Sequence, residues 1–123
     1  MENLDVKSII KSLREFANQR DWNQFHTPKN LSIALSVEAS ELLEQFQWLT
    51  EEESIQLKSA EADPIKRLAI AEEVADILLY AMRFADIMNI DLNQIIQHKL
   101  KKNAEKYPIE KSRGLATKYS DLK

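Results

Sequence analysis

The apolar residues of this chain recur three and four positions apart, which is the spacing of an amphipathic α-helix. The pattern predicts five helices, over residues 5–19, 31–48, 50–60, 64–88 and 91–106. Asn30, Thr50 and Asp63 stand where helix caps are expected, and Pro64 suits a first helical position. We therefore predict an all-α bundle of four to five helices.

The fourth predicted helix is apolar on nearly all sides over residues 74–85, as a buried helix is. A chain of 123 residues has few other helices with which to surround it. Neighbouring copies can supply the missing walls. We expect a homo-oligomer, either a dimer or a tetramer, whose assembly completes the core.

The composition agrees with an all-α fold, because the chain has one glycine and three prolines. Cysteine is absent, which excludes disulfides and thiolate chemistry. Glu2 and Asp5 stand where a signal peptide would be basic, and no apolar run reaches the roughly 18 residues that a membrane span needs. We expect a cytoplasmic protein without a membrane segment.

Charge is distributed unevenly around a net value of −3. Residues 1–96 carry nine basic and 17 acidic side chains, whereas residues 97–123 carry eight basic and three acidic ones. The basic end is the natural place for an anion, although a solubilising end or a weak nucleic-acid contact would look the same. The acidic remainder argues against a stable nucleic-acid partner. We divide the chain into a helical domain, residues 1–110, and a basic tail, residues 111–123.

Two pairs of carboxylates interrupt the longest apolar stretches: Glu38 with Glu41, and Glu73 with Asp76. Residues three apart share one face of a helix, so each pair places like charges side by side. Burying such a pair without a counter-charge would cost several kcal/mol. A divalent cation would resolve the conflict, and an all-oxygen set favours Mg²⁺ or Mn²⁺. Solvated surface charge on a purely structural helical protein is the alternative.

Aromatic residues in the predicted loops and at the end of the second predicted helix suggest a ligand with a flat ring. Trp22, Phe25, Trp48 and Tyr107 are candidates to stack on a base, although each would also suit a core. His26 lies beside two of them and is either a ligand contact or a surface residue. With an oxygen-only metal site and a lysine-rich end, these residues point to a phosphorylated nucleotide.

The order of these motifs resembles that of MazG-like all-α nucleotide pyrophosphohydrolases, and most closely their dCTP pyrophosphatase branch. The resemblance rests on Glu38-x-x-Glu41-x-x-Glu44 ending in Phe46-Gln47-Trp48, followed by Glu72-Glu73-x-x-Asp76. It is supported by residues 21–26, by residues 99–108, and by Arg113-Gly114 and Lys118-Tyr119. The resemblance therefore covers nearly the whole chain.

The resemblance implies cleavage of a nucleoside triphosphate, dCTP or a related or modified pyrimidine nucleotide, into monophosphate and pyrophosphate. It implies that Mg²⁺ is held by Glu38, Glu41, Glu73 and Asp76, which would also be the catalytic residues. The substrate-binding residues that it implies are Trp22, Phe25, His26, Trp48, Tyr80, Lys99, Lys102, Asn103, Lys106 and Tyr107. A non-catalytic nucleotide-binding or regulatory helical oligomer remains the alternative.

Overall fold

The computed structural model describes residues 3–123, and the regular elements in that range are all helical. They are α1 (Val6–Gln19), α2 (Pro28–Glu44), α3 (Glu51–Gln56), α4 (Pro64–Ile87), α5 (Leu92–Lys106), α6 (Ile109–Ser112) and a 3₁₀ turn (Tyr119–Asp121). The prediction of an all-α fold is confirmed. Within the described range, no helix is long and apolar enough to cross a bilayer. The chain forms two compact units, a first that ends at Asn89 and a second that spans Ile90–Lys123.

In the first unit, α4 packs chiefly against α2 and also against α1. The buried apolar side chains are Ala17 of α1, Leu31 of α2, and Met82 and Ala85 of α4. The pairing of α2 with α4 matters most for function, because each of them carries one of the two carboxylate pairs.

The helix starts follow from side chains that accept hydrogen bonds from otherwise unpaired backbone amides. At the start of α3, Thr50 and Glu53 form a reciprocal capping box with N···O distances of 3.0 and 3.1 Å. At the start of α4, the Asp63 carboxylate accepts from the Ile65 amide at 3.0 Å, and Pro64 is the first helical residue. Both predicted starts are confirmed.

The predicted bounds of α2 were wrong at both ends. The helix begins at Pro28 rather than residue 31, because Thr27 is the cap and accepts from the Asn30 amide at 3.2 Å. The Asn30 side chain instead donates to the Phe25 carbonyl at 3.0 Å. The helix ends at Glu44, so Trp48 lies in the turns that follow. Likewise, α3 ends at Gln56 and not at residue 60.

One side of α4 is open to solvent within this chain. Val74 and Leu78 are 43% and 45% exposed, although the sequence predicted burial around this part of the helix. The open side has a physical cause, since only α2 and α1 pack extensively against α4 in the described first unit. The second half of the helix is better covered, and there Met82, Arg83 and Ala85 are buried.

The second unit begins where Asn89, at a left-handed φ of 55°, has ended α4. Asp91 caps α5, accepting from the Gln94 amide at 3.1 Å, so the helix begins at Leu92, one residue after the predicted start. The chain after α6 folds back on the end of α5, where the Tyr119 amide donates to the Tyr107 hydroxyl at 3.3 Å. The division into residues 1–110 and 111–123 stays a prediction.

Candidate active site

A cluster of carboxylates lies where α2 packs against α4. Glu38 of α2 and Glu73 and Asp76 of α4 each offer an oxygen, and these oxygens lie within 4.8 Å of one another. All three residues are half-buried. The helical spacing places Glu73 and Asp76 on one face of α4, and the packing of the two helices brings Glu38 to that face. The structure therefore brings Glu38 of the first carboxylate pair together with both residues of the second pair.

Two oxygens of this cluster lack hydrogen-bond partners. Glu38 Oε2 and Glu73 Oε2 are both buried, and neither has a partner in the described part of the chain. A buried acceptor left without a donor is costly, and more so when it carries charge. A divalent cation would satisfy both oxygens, and a purely oxygen donor set suits Mg²⁺ or Mn²⁺. The residues present thus fit a hard metal ion.

Crowding of negative charge is visible in the pKa of Glu38, which is raised from 4.5 to about 7. Burial is the largest cause; hydrogen bonding of the protonated carboxyl with Glu73 and Glu41 and the charges of Glu41 and Asp76 add to it. Glu41 therefore acts on the cluster although it is not one of the three residues that share the 4.8 Å spacing. A cation bound here would displace the Glu38 proton, so metal affinity should rise with pH.

A pocket of about 410 Å³ opens beside the cluster and has Asp76 in its wall. Phe16 and Trp22 form an aromatic corner, with ring centroids 5.5 Å apart and planes at 71°. A volume of this size suits a small organic ligand. The remaining lining residues are Ser8, Ile9, Ser12, Leu13, His26, Leu79, Tyr80 and Arg83. A larger cleft of about 570 Å³, lined by residues between Leu49 and Lys66, contains none of the predicted site residues.

Sequence reasoning missed a polar network behind this pocket. Arg83 is buried and donates from Nε to His26 Nδ1 at 3.1 Å, from Nη2 to Asn23 Oδ1 at 2.7 Å, and from Nη1 to Asp86 Oδ2 at 3.3 Å. Asp86 also accepts from Arg14 Nε at 2.8 Å. The hydrogen bond from Arg14, with the positive charges of both arginines, holds the pKa of Asp86 below its ordinary value despite its burial.

A signal for this network was present in the sequence. Asp76, Tyr80 and Arg83 are spaced four and three apart, so they share one face of α4 with Glu73. Arg83 is the one basic residue in an otherwise apolar stretch of residues 77–85. A charge at such a position needs a partner when it is buried, which distinguishes it from the surface lysines.

Three of the predicted base-binding residues of the first unit line the pocket, and two do not. Trp22, His26 and Tyr80 belong to its wall. Phe25 and Trp48 are 58% and 87% exposed and lie outside it. The base-binding roles of all five stay predictions.

The predicted substrate residues of the second unit lie along α5 and at its end. Lys99, Lys102 and Asn103 are exposed, whereas Lys106 is half-buried with Nζ 4.4 Å from the centre of the Tyr119 ring. Tyr107 follows the helix, is 39% exposed and packs edge-on against the same ring. The phosphate and base contacts assigned to these residues stay predictions.

Comparison with known proteins places this arrangement among nucleotide-cleaving enzymes. The sequence profile of the MazG-like family matches residues 33–122. dCTP pyrophosphatase 1 from Bos taurus is 45% identical over 118 residues, which cover 95% of this chain and 68% of that protein. The protein of the same name from Homo sapiens is 39% identical over 117 residues, with 95% and 67% covered. A crystal structure of a pyrophosphatase from Archaeoglobus fulgidus matches with a TM-score of 0.75 at 34% identity, covering 88% of this chain and 96% of that one.

Proposed function

The chain belongs to the MazG-like family, and from this membership we propose that it is a Mg²⁺-dependent nucleoside triphosphate pyrophosphohydrolase of the dCTP branch. It cleaves dCTP, or a related or modified pyrimidine nucleotide, into monophosphate and pyrophosphate, and so removes unwanted nucleotides from the pool. Family membership confirms the resemblance that the sequence motifs indicated. We place the enzyme in the cytoplasm, where its nucleotide substrates occur.

The observation that carries this proposal is the position of Asp76. This residue belongs both to the carboxylate cluster and to the wall of the 410 Å³ pocket. A nucleotide needs such a pair of neighbouring sites, because its triphosphate requires a cation and its base requires an apolar pocket. In a purely structural helical protein, two unpaired buried carboxylate oxygens in the same cluster would only destabilise the fold.

The chemistry of the side chains suggests a role for each residue of the site. Glu38, Glu73 and Asp76 would hold Mg²⁺, with Glu41 as a fourth carboxylate beside them. Bound there, Mg²⁺ would neutralise charge on the triphosphate and make a water molecule more acidic for attack on the phosphorus atom. By fixing the position of the cation, the carboxylates would orient the triphosphate.

In the wall of the same pocket, Trp22 offers a ring face for stacking with the base, at a site bordered by the Phe16 ring. Tyr80 lies one helical turn beyond Asp76 on α4 and lines the same pocket. We assign Lys99, Lys102 and Lys106 to the phosphates, with Asn103 and Tyr107 as further contacts, because positive charge concentrates on α5. Exchange of Lys99 for Ala should raise the KM for the nucleotide more than it lowers kcat.

We further propose that copies of this chain assemble through the open faces of α2 and α4. Ile33 and Val37 of α2 are 52% and 48% exposed, and Val74 and Leu78 of α4 add further apolar surface. Large apolar side chains left exposed in this number on two helices favour a partner surface that covers them. Light scattering coupled to size exclusion should give a dimer or a tetramer, and Leu78→Asp should shift the mass towards one chain. A monomeric parent protein would refute the assembly.

The experiment that tests the catalytic proposal identifies the products of the purified protein. dCTP, dTTP, dATP and GTP are incubated separately with Mg²⁺, and nucleotide and phosphate products are separated by anion-exchange chromatography. We expect dCMP with pyrophosphate from dCTP and no product in excess chelator. Orthophosphate as the first product, or turnover that survives the chelator, would refute the proposal. Nucleotide binding without turnover would favour a regulatory module instead.

A further inference from the structure

Arg83 is held in one orientation by three different acceptors. It is only 5% exposed, and its Nη1 and Nη2 donate to Asp86 and Asn23 while its Nε donates to His26 Nδ1. Asp86 is in turn held by Arg14. A guanidinium group fixed at both ends of its fork cannot turn away from the imidazole. The position and direction of its Nε–H are therefore set by the fold.

This contact decides where the proton of His26 lies. An arginine side chain has only donors and stays charged at every relevant pH. The His26 nitrogen that faces it must therefore present a lone pair, and the single proton of the neutral ring must lie on Nε2. If the imidazole of His26 were protonated, its Nδ1–H would point at the Nε–H of Arg83, and two positive charges would lie side by side. Burial and the charge of Arg83 accordingly hold the pKa of His26 below its ordinary value.

We propose that Arg83 is a positioning residue that fixes His26 as the Nε2–H tautomer, so that the pocket presents one permanent hydrogen-bond donor to an acceptor atom on the edge of the nucleotide base. The part that concerns the nucleotide rests on the function proposed above. The part that concerns the histidine rests on the contacts of Arg83 alone.

The surroundings of His26 favour a base over a phosphate as its ligand. Its ring lies against Trp22, with centroids 6.2 Å apart and planes at 60°, in the aromatic part of the pocket. The carboxylate cluster, where the cation and hence the triphosphate belong, meets the pocket at Asp76. A base stacked on Trp22 would carry its edge atoms towards the imidazole. Carbonyl oxygens and unprotonated ring nitrogens, such as O2 and N3 of cytosine, are the acceptors that a fixed donor selects.

The tautomer can be observed directly and without any substrate. The protein has two histidines, so a long-range ¹H–¹⁵N correlation spectrum contains two rings, and His98→Gln assigns them. At pH 7.5 we expect His26 to show one protonated nitrogen, Nε2, and one unprotonated nitrogen, Nδ1. Exposed His98 should show the averaged signals of a ring that exchanges freely. A proton on Nδ1 of His26, or averaged signals for His26, would overturn the inference.

Two variants test whether Arg83 is the cause. Arg83→Met should move the His26 nitrogen signals towards the averaged values and raise its pKa, while leaving His98 unchanged. Asp86→Asn keeps the arginine but weakens its anchor, and it provides an independent test should Arg83→Met fold poorly. We expect a shift of the same sign and smaller size. If the His26 signals stay unchanged in both variants, Arg83 does not set the tautomer.

Kinetics test the role in binding. His26→Leu should raise the KM for dCTP by roughly fivefold to tenfold with a smaller change in kcat, as expected for one lost hydrogen bond. His26→Gln keeps an N–H donor and should recover part of the loss, and Arg83→Met should raise KM in the same way. Equal effects of Leu and Gln would overturn the donor role. His98→Gln is the matched control and should behave as wild type.

The two proposals fail separately. A wild-type protein that cleaves no nucleotide refutes the proposed function, yet the NMR spectrum still decides whether Arg83 fixes the imidazole. An active enzyme whose His26 exchanges freely between tautomers refutes the inference alone.

Discussion

Replacing Glu38 with Gln should stabilise the metal-free protein at alkaline pH and remove the stabilisation that Mg²⁺ provides. The pKa of Glu38 is raised from 4.5 to about 7 in the folded protein. A group with a raised pKa binds its proton more tightly in the folded state than in the unfolded one. The folded state is therefore penalised progressively as pH rises from about 4.5 through about 7, and fully above that range. Gln has no proton to lose and escapes the penalty.

The size of the effect follows from the shift. At about 1.4 kcal/mol per pH unit, the whole displacement would correspond to about 3 kcal/mol. Glu38 is only half-buried, however, and water screens part of the repulsion from its neighbours. We therefore expect a gain of about 1 kcal/mol at pH 8, which corresponds to a Tm higher by roughly 3 to 6 °C.

Thermal unfolding followed by circular dichroism provides the assay, at one protein concentration and between pH 5 and pH 8.5. In chelator, the curves of Tm against pH should coincide near pH 5 and separate as pH rises, with Glu38→Gln the more stable. Mg²⁺ should then raise the Tm of the wild type and have little effect on the variant. Glu44→Gln, on the exposed face of the same helix, is the matched control and should follow the wild type. Parallel curves in chelator, or a variant that is less stable at pH 8, would refute the reasoning.

Further predictions address the metal ligands, the aromatic residues and the ion pair behind the pocket. Asp76→Ala and Glu41→Ala should each abolish turnover with helix content unchanged by circular dichroism; unfolding of these variants would instead make the carboxylates structural. Trp22→Ala should raise the KM for the nucleotide by roughly tenfold or more through lost stacking, with metal affinity unchanged by titration. Trp48→Ala should also raise the KM for the nucleotide by roughly tenfold or more. Trp48 is 87% exposed in this chain, and wild-type kinetics of the variant would show that it has no role in binding. Arg14→Gln should lower the free energy of unfolding more at pH 7 than at pH 3, because Arg14 lowers the pKa of Asp86. That contribution is fully present above the ordinary pKa of the carboxyl and declines as pH falls towards the lowered one. Urea titrations at the two pH values measure this difference, and an equal loss at both would contradict the assignment.

The helix caps show which parts of the fold can be predicted from the sequence. The capping box of Thr50 and Glu53 involves residues three apart, so the sequence contains all the information that determines it. The start of α2 was misplaced because Thr27 and Asn30 are both good caps. Pro28 favours the first of them, since proline suits the first turn of a helix, and the side chain of Asn30 is used elsewhere.

In the site, too, features formed by residues close together in the sequence were predicted, and those formed by residues far apart were not. The carboxylate pairs were recognisable because four acidic residues in apolar helices demand a counter-charge. The packing of α2 against α4 then brings Glu38 of one pair to both residues of the other. The role of Arg83 could not be predicted in this way, because its partners His26 and Asn23 are 57 and 60 positions away in the chain. A lone arginine in an apolar stretch reveals that it needs partners, but not which ones.

Helix α4 also bears on how enzymes of this kind can diversify. It carries two carboxylates of the cluster, at residues 73 and 76, and two pocket residues, at 80 and 83, on one continuous helix, with about 10 Å of helix between Glu73 and Tyr80. If the pocket binds the base as proposed, exchange of the side chains at 80 and 83 would change which base is preferred while the carboxylates keep their places. Insertion of one residue between Asp76 and Tyr80 would instead turn the pocket residues by about 100° away from the ligands. New substrate preferences in this fold should therefore arise by substitution along α4, and changes in length should be confined to the connections outside it.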